Sequence, residues 1–246
     1  MLQRATASTD NLTRIALGAM LIAVAGVCWA ITAHRMQGMD MGPGTDLGTL
    51  GWFAVVWLTM MAAMMLPSLV PMAVTFDRVS RGALFTLGYL AVWLTVGVLT
   101  YGVVKGVGSL DISWLAWNRG GPYVAGGVIL AAALYELTPV KRTCLRHCRH
   151  PELLASRSRP GAAGALVTGL EHGGFCVGVS WALMAALFAI GVMNVTWMIV
   201  VAALIAIEKL LPWDRAAIGA TVLLVVLLAV GVAFAPHSVP AFTIPG

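Results

Sequence analysis

The sequence predicts an all-α protein, a polytopic transmembrane bundle of about seven helices, with six as the alternative. Composition is the first reason: of 246 residues, 60% are hydrophobic and only 10% are charged, which is far from the averages of soluble domains. The second reason is that the apolar residues form long runs, several of which reach the roughly 20 residues that cross a bilayer. We therefore expect a single integral membrane domain over residues 1–246, without a separate soluble domain.

Short polar links divide the chain into seven apolar stretches. The predicted spans cover about residues 12–33, 50–74, 83–104, 121–137, 161–190, 195–211 and 216–234. Four of the glycines in the fifth span either let a neighbouring helix approach closely or break the helix. The sequence leaves open whether this span is continuous at Gly169, Gly173, Gly174 and Gly178.

Positive charge is concentrated in the segment 139–160, which we predict to be a loop after the fourth span. It holds six basic residues against Glu152 alone, whereas the whole chain has a net charge of +5. Basic loops beside spans stay in the cytoplasm and attract anionic lipids. We expect insertion in the cytoplasmic (inner) membrane, with the N-terminus and this loop cytoplasmic, the C-terminus outside, and no binding to nucleic acid. The expected lipid contacts are Lys141, Arg142, Arg146 and Arg149.

Polar side chains inside the fifth span predict a functional site. Glu171, His172 and Cys176 lie within six positions of an otherwise apolar run, and the last two share a helix face because they are one turn apart. Counted from Gly161, His172 lies roughly 16 Å along the helix, near the middle of a bilayer. Ionisable groups at this depth face a bundle interior, a partner or an ion. An interhelical hydrogen bond of His172 is the alternative.

Methionines in the second span are a second set of candidate ligands. Met60, Met61, Met64 and Met65 are related by three or four positions and cover a broad helix face just before Pro67. Thioethers select Cu(I)-like ions over Zn²⁺ or Mg²⁺. Methionine is also an adaptable packing residue, and the spacing alone leaves both uses open.

Two cysteines of the basic segment are a third set. If the fourth span continues as a helix past Pro139, Cys144 and Cys148 share a face beside His147, and two thiols with an imidazole can begin a Zn²⁺ or Cu(I) site. We expect the neighbouring arginines to lower the pKa of both thiols.

Outside the membrane, a short segment resembles the Met/His-rich sequences that collect copper, with donors at His34, Met36, Met39 and Met41.

Several blocks of the sequence together resemble one known family. The blocks are Met61-Ala-Ala-Met64-Met65-Leu66-Pro67, Thr138-Pro139-x-Lys141-x-x-Cys144-Leu-x-x-Cys148, His172-Gly-x-x-Cys176-x-Gly178-x-x-Trp181, Gly191-x-Met193-Asn194-x-x-Trp197 and Glu208-Lys209. They resemble the bacterial family of predicted metal-binding integral membrane proteins, the domain of unknown function 2182, over about residues 52–213. The resemblance implies a metal held in the membrane by the candidate ligands Met61, Met64, Met65, Cys144, Cys148, His172 and Cys176.

One departure from the family pattern weakens that implication. Family members commonly have two adjacent cysteines where this chain has Val179 and Ser180. We expect an integral membrane protein that binds, and moves or delivers, a soft transition-metal ion, with copper favoured over zinc. Its partner is then a metallochaperone or another membrane protein. The alternative is a non-metal membrane subunit or assembly protein for a partner complex.

Two further features of the sequence concern catalysis and the membrane interface. No complete catalytic constellation is present, since Ser180 lacks the second glycine of a nucleophile elbow, so we do not expect an enzyme. Glu208 and Lys209 fall near the cytoplasmic end of the sixth predicted span, where long side chains reach the interface by snorkelling.

Overall fold

The computed structural model describes residues 2–36, 47–109, 120–150, 161–190, 194–211 and 214–236. Regular structure in these ranges is entirely α-helical, which confirms the predicted all-α class. The eight helices are α1 (Leu2–Met36), α2 (Leu50–Ala73), α3 (Val79–Ser109), α4 (Gly121–Glu136), α5 (Pro139–Arg149), α6 (Gly161–Ile190), α7 (Val195–Leu210) and α8 (Asp214–Phe234). The copper-collecting segment predicted after His34 falls largely on residues 37–46, outside the described ranges.

Each of the seven predicted spans coincides with a helix, but fewer than seven are long enough to cross a membrane. Four described helices are long and apolar enough: Asn11–Met36 of α1, and α2, α3 and α6. A fifth is obtained if α4 and α5, which meet at a bend of 65°, count as one broken span. With 16 residues each, α4 and α7 are only about 24 Å long, less than the ~30 Å of a hydrocarbon core. The number seven is therefore not confirmed.

The basic segment begins with a helix, which corrects the predicted loop over 139–160. The Thr138 side chain accepts a hydrogen bond from the backbone N–H of Lys141, and Pro139 occupies the first turn of α5. Both features start a new helix, and proline also prevents α4 from continuing, so the chain turns before it resumes. The remainder of the predicted loop, 151–160, lies outside the described residues.

Close backbone contact between α3 and α6 forms one wall of the core. A Cβ on Gly169 would lie 2.0 Å from the carbonyl oxygen of Phe85, and one on Gly88 would lie 2.3 Å from that of Leu166. Only glycine permits such an approach. The helix α6 is continuous from Gly161 to Ile190, so the glycines of the fifth predicted span do not break it, and Gly169, Gly173 and Gly178 serve close packing.

The methionine-rich helix α2 packs against α1, α3 and α7, and side-chain contacts link it to α6, to which it runs antiparallel. Trp57 near the start of α2 lies 5.6 Å, between ring centroids, from Phe188 near the end of α6. At the other end, Lys209 of α7 contacts both Ser68 of α2 and Cys176 of α6. The four candidate methionines, at positions 60, 61, 64 and 65, therefore occupy the levels of α2 between these two contacts.

The amphipathic helix α5 packs against α6 and α7, with Lys141, Leu145 and Cys148 buried. The His147 ring stacks on Phe175 of α6 at 4.2 Å between centroids. Because α4 and α7 end beside α5, side chains at their ends are enclosed by protein.

Candidate metal centre

The thiol of Cys176 is fully buried and contacts side chains from two other helices. Lys209 Nζ of α7 donates a hydrogen bond to its Sγ at 2.9 Å, and the Tyr89 hydroxyl of α3 lies 3.0 Å from the same atom. On α6 itself the Ser180 hydroxyl, one turn later, donates to the Cys176 carbonyl and lies 3.9 Å from Sγ. Lys209 Nζ also reaches Ser68 of α2 at 3.5 Å. One thiol and one ammonium thus join α2, α3, α6 and α7.

His172 lies one turn before Cys176 on the same inward face, as the spacing predicts. Its side chain is only 4% exposed, and its ring packs against Phe85 at 5.6 Å and Tyr89 at 6.1 Å between centroids. Within the described part of the chain, no hydrogen bond joins the imidazole nitrogens to another group, so the alternative of an interhelical hydrogen bond finds no support there. Glu171, one position earlier, is exposed on the outer face of α6.

Helix α5 brings two more thiols to α6. Cys148 is buried and lies within electrostatic range of Cys176 and Lys209. Cys144 packs against Gly178: a Cβ at that glycine would lie 2.6 Å from the Cys144 Sγ. The predicted shared face of Cys144 and Cys148 therefore exists, and it points towards the thiol of the fifth predicted span.

The expected effect of the arginines on these two thiols is wrong. Burial raises the pKa of Cys144, and it raises the pKa of Cys148 to about 12. Arg142 and Arg146 point outward from α5 and are exposed, so they stabilise the buried thiolates less than desolvation disfavours them. Thiolates at these positions would have to be stabilised by a bound ion.

The four candidate methionines of α2, Met60, Met61, Met64 and Met65, are all buried in the core. The Ser68 hydroxyl, which Lys209 approaches, donates to the carbonyl of Met65 at 3.0 Å and so lies within one turn of Met64 and Met65. The methionine-rich turn therefore adjoins the Cys176 region. Met61, one turn earlier, is buried at a level of α2 that faces a later part of α6.

The donors gathered in this region are thiol, thioether and imidazole, which suit a soft ion. Among the described residues, no three His, Cys, Asp or Glu side chains come together closely enough to hold a metal ion. A structural zinc site closes four such ligands around the ion. The arrangement is instead one buried thiol, Cys176, with the buried thiol of Cys148 within electrostatic range of it and His172 one turn earlier on the same helix face.

Beside the Cys176 region lies a cluster of buried charges that the sequence analysis missed. Glu136, Lys141 and Glu208 are fully buried. Lys141 Nζ donates to Oε2 of Glu136 and, at 2.7 Å, to Oε2 of Glu208. Arg149 donates from Nε to the backbone carbonyl of Glu208 at 2.6 Å.

This cluster corrects two expectations. Lys141 is enclosed between two carboxylates and cannot contact a lipid headgroup, and Glu208 and Lys209 are buried instead of snorkelling to an interface. The buried Oε1 atoms of Glu136 and Glu208 have no hydrogen-bond partner among the described residues. The only signal in the sequence was the presence of charged residues near the ends of apolar runs, because the partners are far apart along the chain.

Fold and site together define a class: an all-α protein with apolar helices and a buried group of soft donor side chains. Comparison with protein families then identifies the relatives. The family of PpoB2, described as a copper chaperone, matches residues 54–233, and the chain belongs to this family. The match confirms a metal-related family, whereas the label domain of unknown function 2182 stays a resemblance. No curated protein and no solved structure matches the chain.

Proposed function

We propose that this chain is an integral membrane copper chaperone that binds Cu(I) at Cys176 and passes it to a partner protein. One observation carries the proposal: the Cys176 thiol is fully buried where α2, α3, α6 and α7 meet, and a second buried thiol, Cys148, lies within electrostatic range of it. Membership of a copper chaperone family supports copper as the ion. The long apolar helices support the membrane setting.

Cys176 provides the primary ligand in this proposal. Cys148 of α5 is the second thiol, since it lies within electrostatic range of the first, and His172 and the methionines of α2 are further donors on the same inner side. Thiolate and thioether ligands favour Cu(I) over harder divalent ions. An ion held by few ligands can pass to a partner by exchanging one ligand at a time.

The proposed orientation follows the distribution of basic residues. The exposed Arg142 and Arg146 of α5 are placed at the cytoplasmic surface, where they can meet anionic headgroups. The N-terminus then lies in the cytoplasm and the C-terminus outside. The partner is a metallochaperone or a membrane protein that accepts Cu(I).

A matched pair of cysteine variants tests the copper site. The full-length protein is purified in detergent, and its Cu(I) affinity is measured by competition with a chromophoric Cu(I) chelator. Cys176→Ser should lose most of the affinity, whereas Cys28→Ser, a change of the partly buried thiol on α1, should keep it. Equal Cu(I) affinities of both variants and the wild type would show that Cys176 is not a copper ligand.

One observation favours a second candidate function, a metal-free assembly subunit. Val179 and Ser180 occupy buried positions on α6 where the resembled family has thiols, and the described residues hold no closed group of metal ligands. Elemental analysis of the purified protein separates the two. A stable co-purified partner with no copper would favour the subunit.

A further inference from the structure

We propose that the Cys176 site selects a monovalent soft ion, Cu(I) or Ag(I), over a divalent one by charge, and that Lys209 is the internal cation that the ion displaces. The inference rests on the proposed function and specifies its ion class. Its basis is the cluster of buried charged side chains beside Cys176, formed by Glu136, Lys141 and Glu208, whose net negative charge one additional positive charge would neutralise.

The charges of the cluster do not balance. Glu136 and Glu208 contribute two negative charges, and Lys141 between them contributes one positive charge, so one negative charge is left over. All three side chains are fully buried, which limits screening by water. Each carboxylate also retains one buried oxygen, Oε1, without a hydrogen-bond partner in the described part of the chain. These two oxygens are vacant acceptors for a cation or a donor.

The ammonium of Lys209 occupies the position of a cation at the Cys176 thiol. Its Nζ lies 2.9 Å from Sγ, and the side chain is buried. Paired with a thiolate, this ammonium adds no net charge. It also feels the Coulomb attraction of the neighbouring Glu208 carboxylate and the repulsion of Lys141. Lys209 therefore has two possible partners in the same region, the thiolate and the carboxylate of Glu208.

Binding of a monovalent ion completes the balance. A bond forms between the ion and the Cys176 sulfur, the hydrogen bond from Lys209 to that sulfur breaks, and no electron is transferred. The freed ammonium turns to the vacant Oε1 of Glu208, and the buried group becomes neutral. If the sulfur carries a proton beforehand, that proton leaves when the ion binds. The final charge is the same.

A divalent ion leaves one uncompensated positive charge in the same buried volume, which is unfavourable in a medium of low dielectric constant. Arg149 binds the backbone carbonyl of Glu208 at the partly exposed edge, where water screens its charge, so it is left out of the charge balance of the fully buried group. The preference for monovalent over divalent ions thus arises from the charge of the ion as well as from the softness of the ligands.

Charge-changing variants of the full-length protein in detergent test this inference, with Cu(I), Ag(I) and Zn²⁺ as probes. Lys209→Gln removes one positive charge and should raise Zn²⁺ affinity about tenfold or more, narrowing the preference for monovalent ions. Glu136→Gln removes one negative charge and should weaken Cu(I) and Ag(I) binding by about the same factor. The double variant restores the balance and should recover most of the lost affinity.

An exposed ion pair supplies the controls. Asp77 and Arg81 form a surface salt bridge, so Asp77→Asn and Arg81→Gln make the same charge changes away from the cluster and should leave the ion preference unchanged. Circular dichroism and gel filtration check folding. If Glu136→Gln does not fold, the change in Ag(I) and Zn²⁺ affinity in Lys209→Gln, compared with Arg81→Gln, still decides the matter.

The outcomes separate this inference from the proposed function. Wild-type protein that binds neither Cu(I) nor Ag(I) would overturn the copper site itself. Cu(I) binding that depends on Cys176, with an ion preference unaffected by Lys209→Gln, would leave the copper site intact and overturn selection by charge. If the double variant binds Cu(I) and Ag(I) no more tightly than Glu136→Gln does, selection by charge is also contradicted.

Discussion

A single added methyl group at Gly169 should disrupt the contact between α3 and α6. The new Cβ would lie 2.0 Å from the carbonyl oxygen of Phe85, 2.9 Å from its carbonyl carbon and 3.1 Å from its Cα. These are backbone atoms, which cannot move aside as a flexible side chain can, so the two helices must separate along the contact that positions Tyr89 beside Cys176.

The magnitude follows from two opposing terms. Overpacking in a close-packed core costs about 1–3 kcal/mol, and more where the backbone has to shift. Alanine is a better helix former than glycine by at most about 1 kcal/mol, which offsets part of this cost. We expect Gly169→Ala to lower the free energy of unfolding by about 1–3 kcal/mol and to weaken Cu(I) binding.

The neighbouring Gly174 provides a control on the same helix. A Cβ there meets no atom within 4 Å, so Gly174→Ala should be neutral or stabilising by up to about 1 kcal/mol. Thermal unfolding of both variants in the same detergent measures the difference. Equal melting temperatures for Gly169→Ala and Gly174→Ala would refute the close approach of α3 and α6.

Three further predictions follow from single contacts. Lys141→Met leaves two buried carboxylates without their shared cation and should destabilise the protein by about 3–5 kcal/mol, whereas Arg142→Met, on the exposed side of α5, should stay within about 0.5 kcal/mol in thermal unfolding. A thiol-reactive maleimide should label the half-buried Cys144 faster than the fully buried Cys176, and equal rates would contradict the described packing. Trp57→Phe removes a hydrogen bond of 2.8 Å to a backbone carbonyl of α3 and should cost about 1 kcal/mol in denaturant unfolding.

The positions of the helices could be predicted because apolar runs determine them directly. The bounds of α6 agree with those of the fifth predicted span, and the inward face shared by His172 and Cys176 follows from helical periodicity. The number of membrane spans was harder to predict than the positions of the helices, because α4 and α7 are apolar but too short to cross a bilayer.

The sequence pattern does not predict contacts between distant parts of the chain. The turn at Pro139 redirects α5 across the bundle, and only this turn brings Lys141 to Glu208. The sequence places Glu208 and Lys209 at the end of an apolar run, which predicts charges at a membrane interface. It does not indicate that α5 packs against the end of α7 and buries them.

X-ray absorption spectroscopy at the copper edge, on Cu(I)-loaded protein in detergent, tests the central claim most directly. We expect a first shell dominated by sulfur, whose amplitude falls in Cys176→Ser and is unchanged in Cys28→Ser. A shell of oxygen and nitrogen alone, or the same sulfur amplitude in wild type and both variants, would contradict a copper site built on the buried thiol of α6.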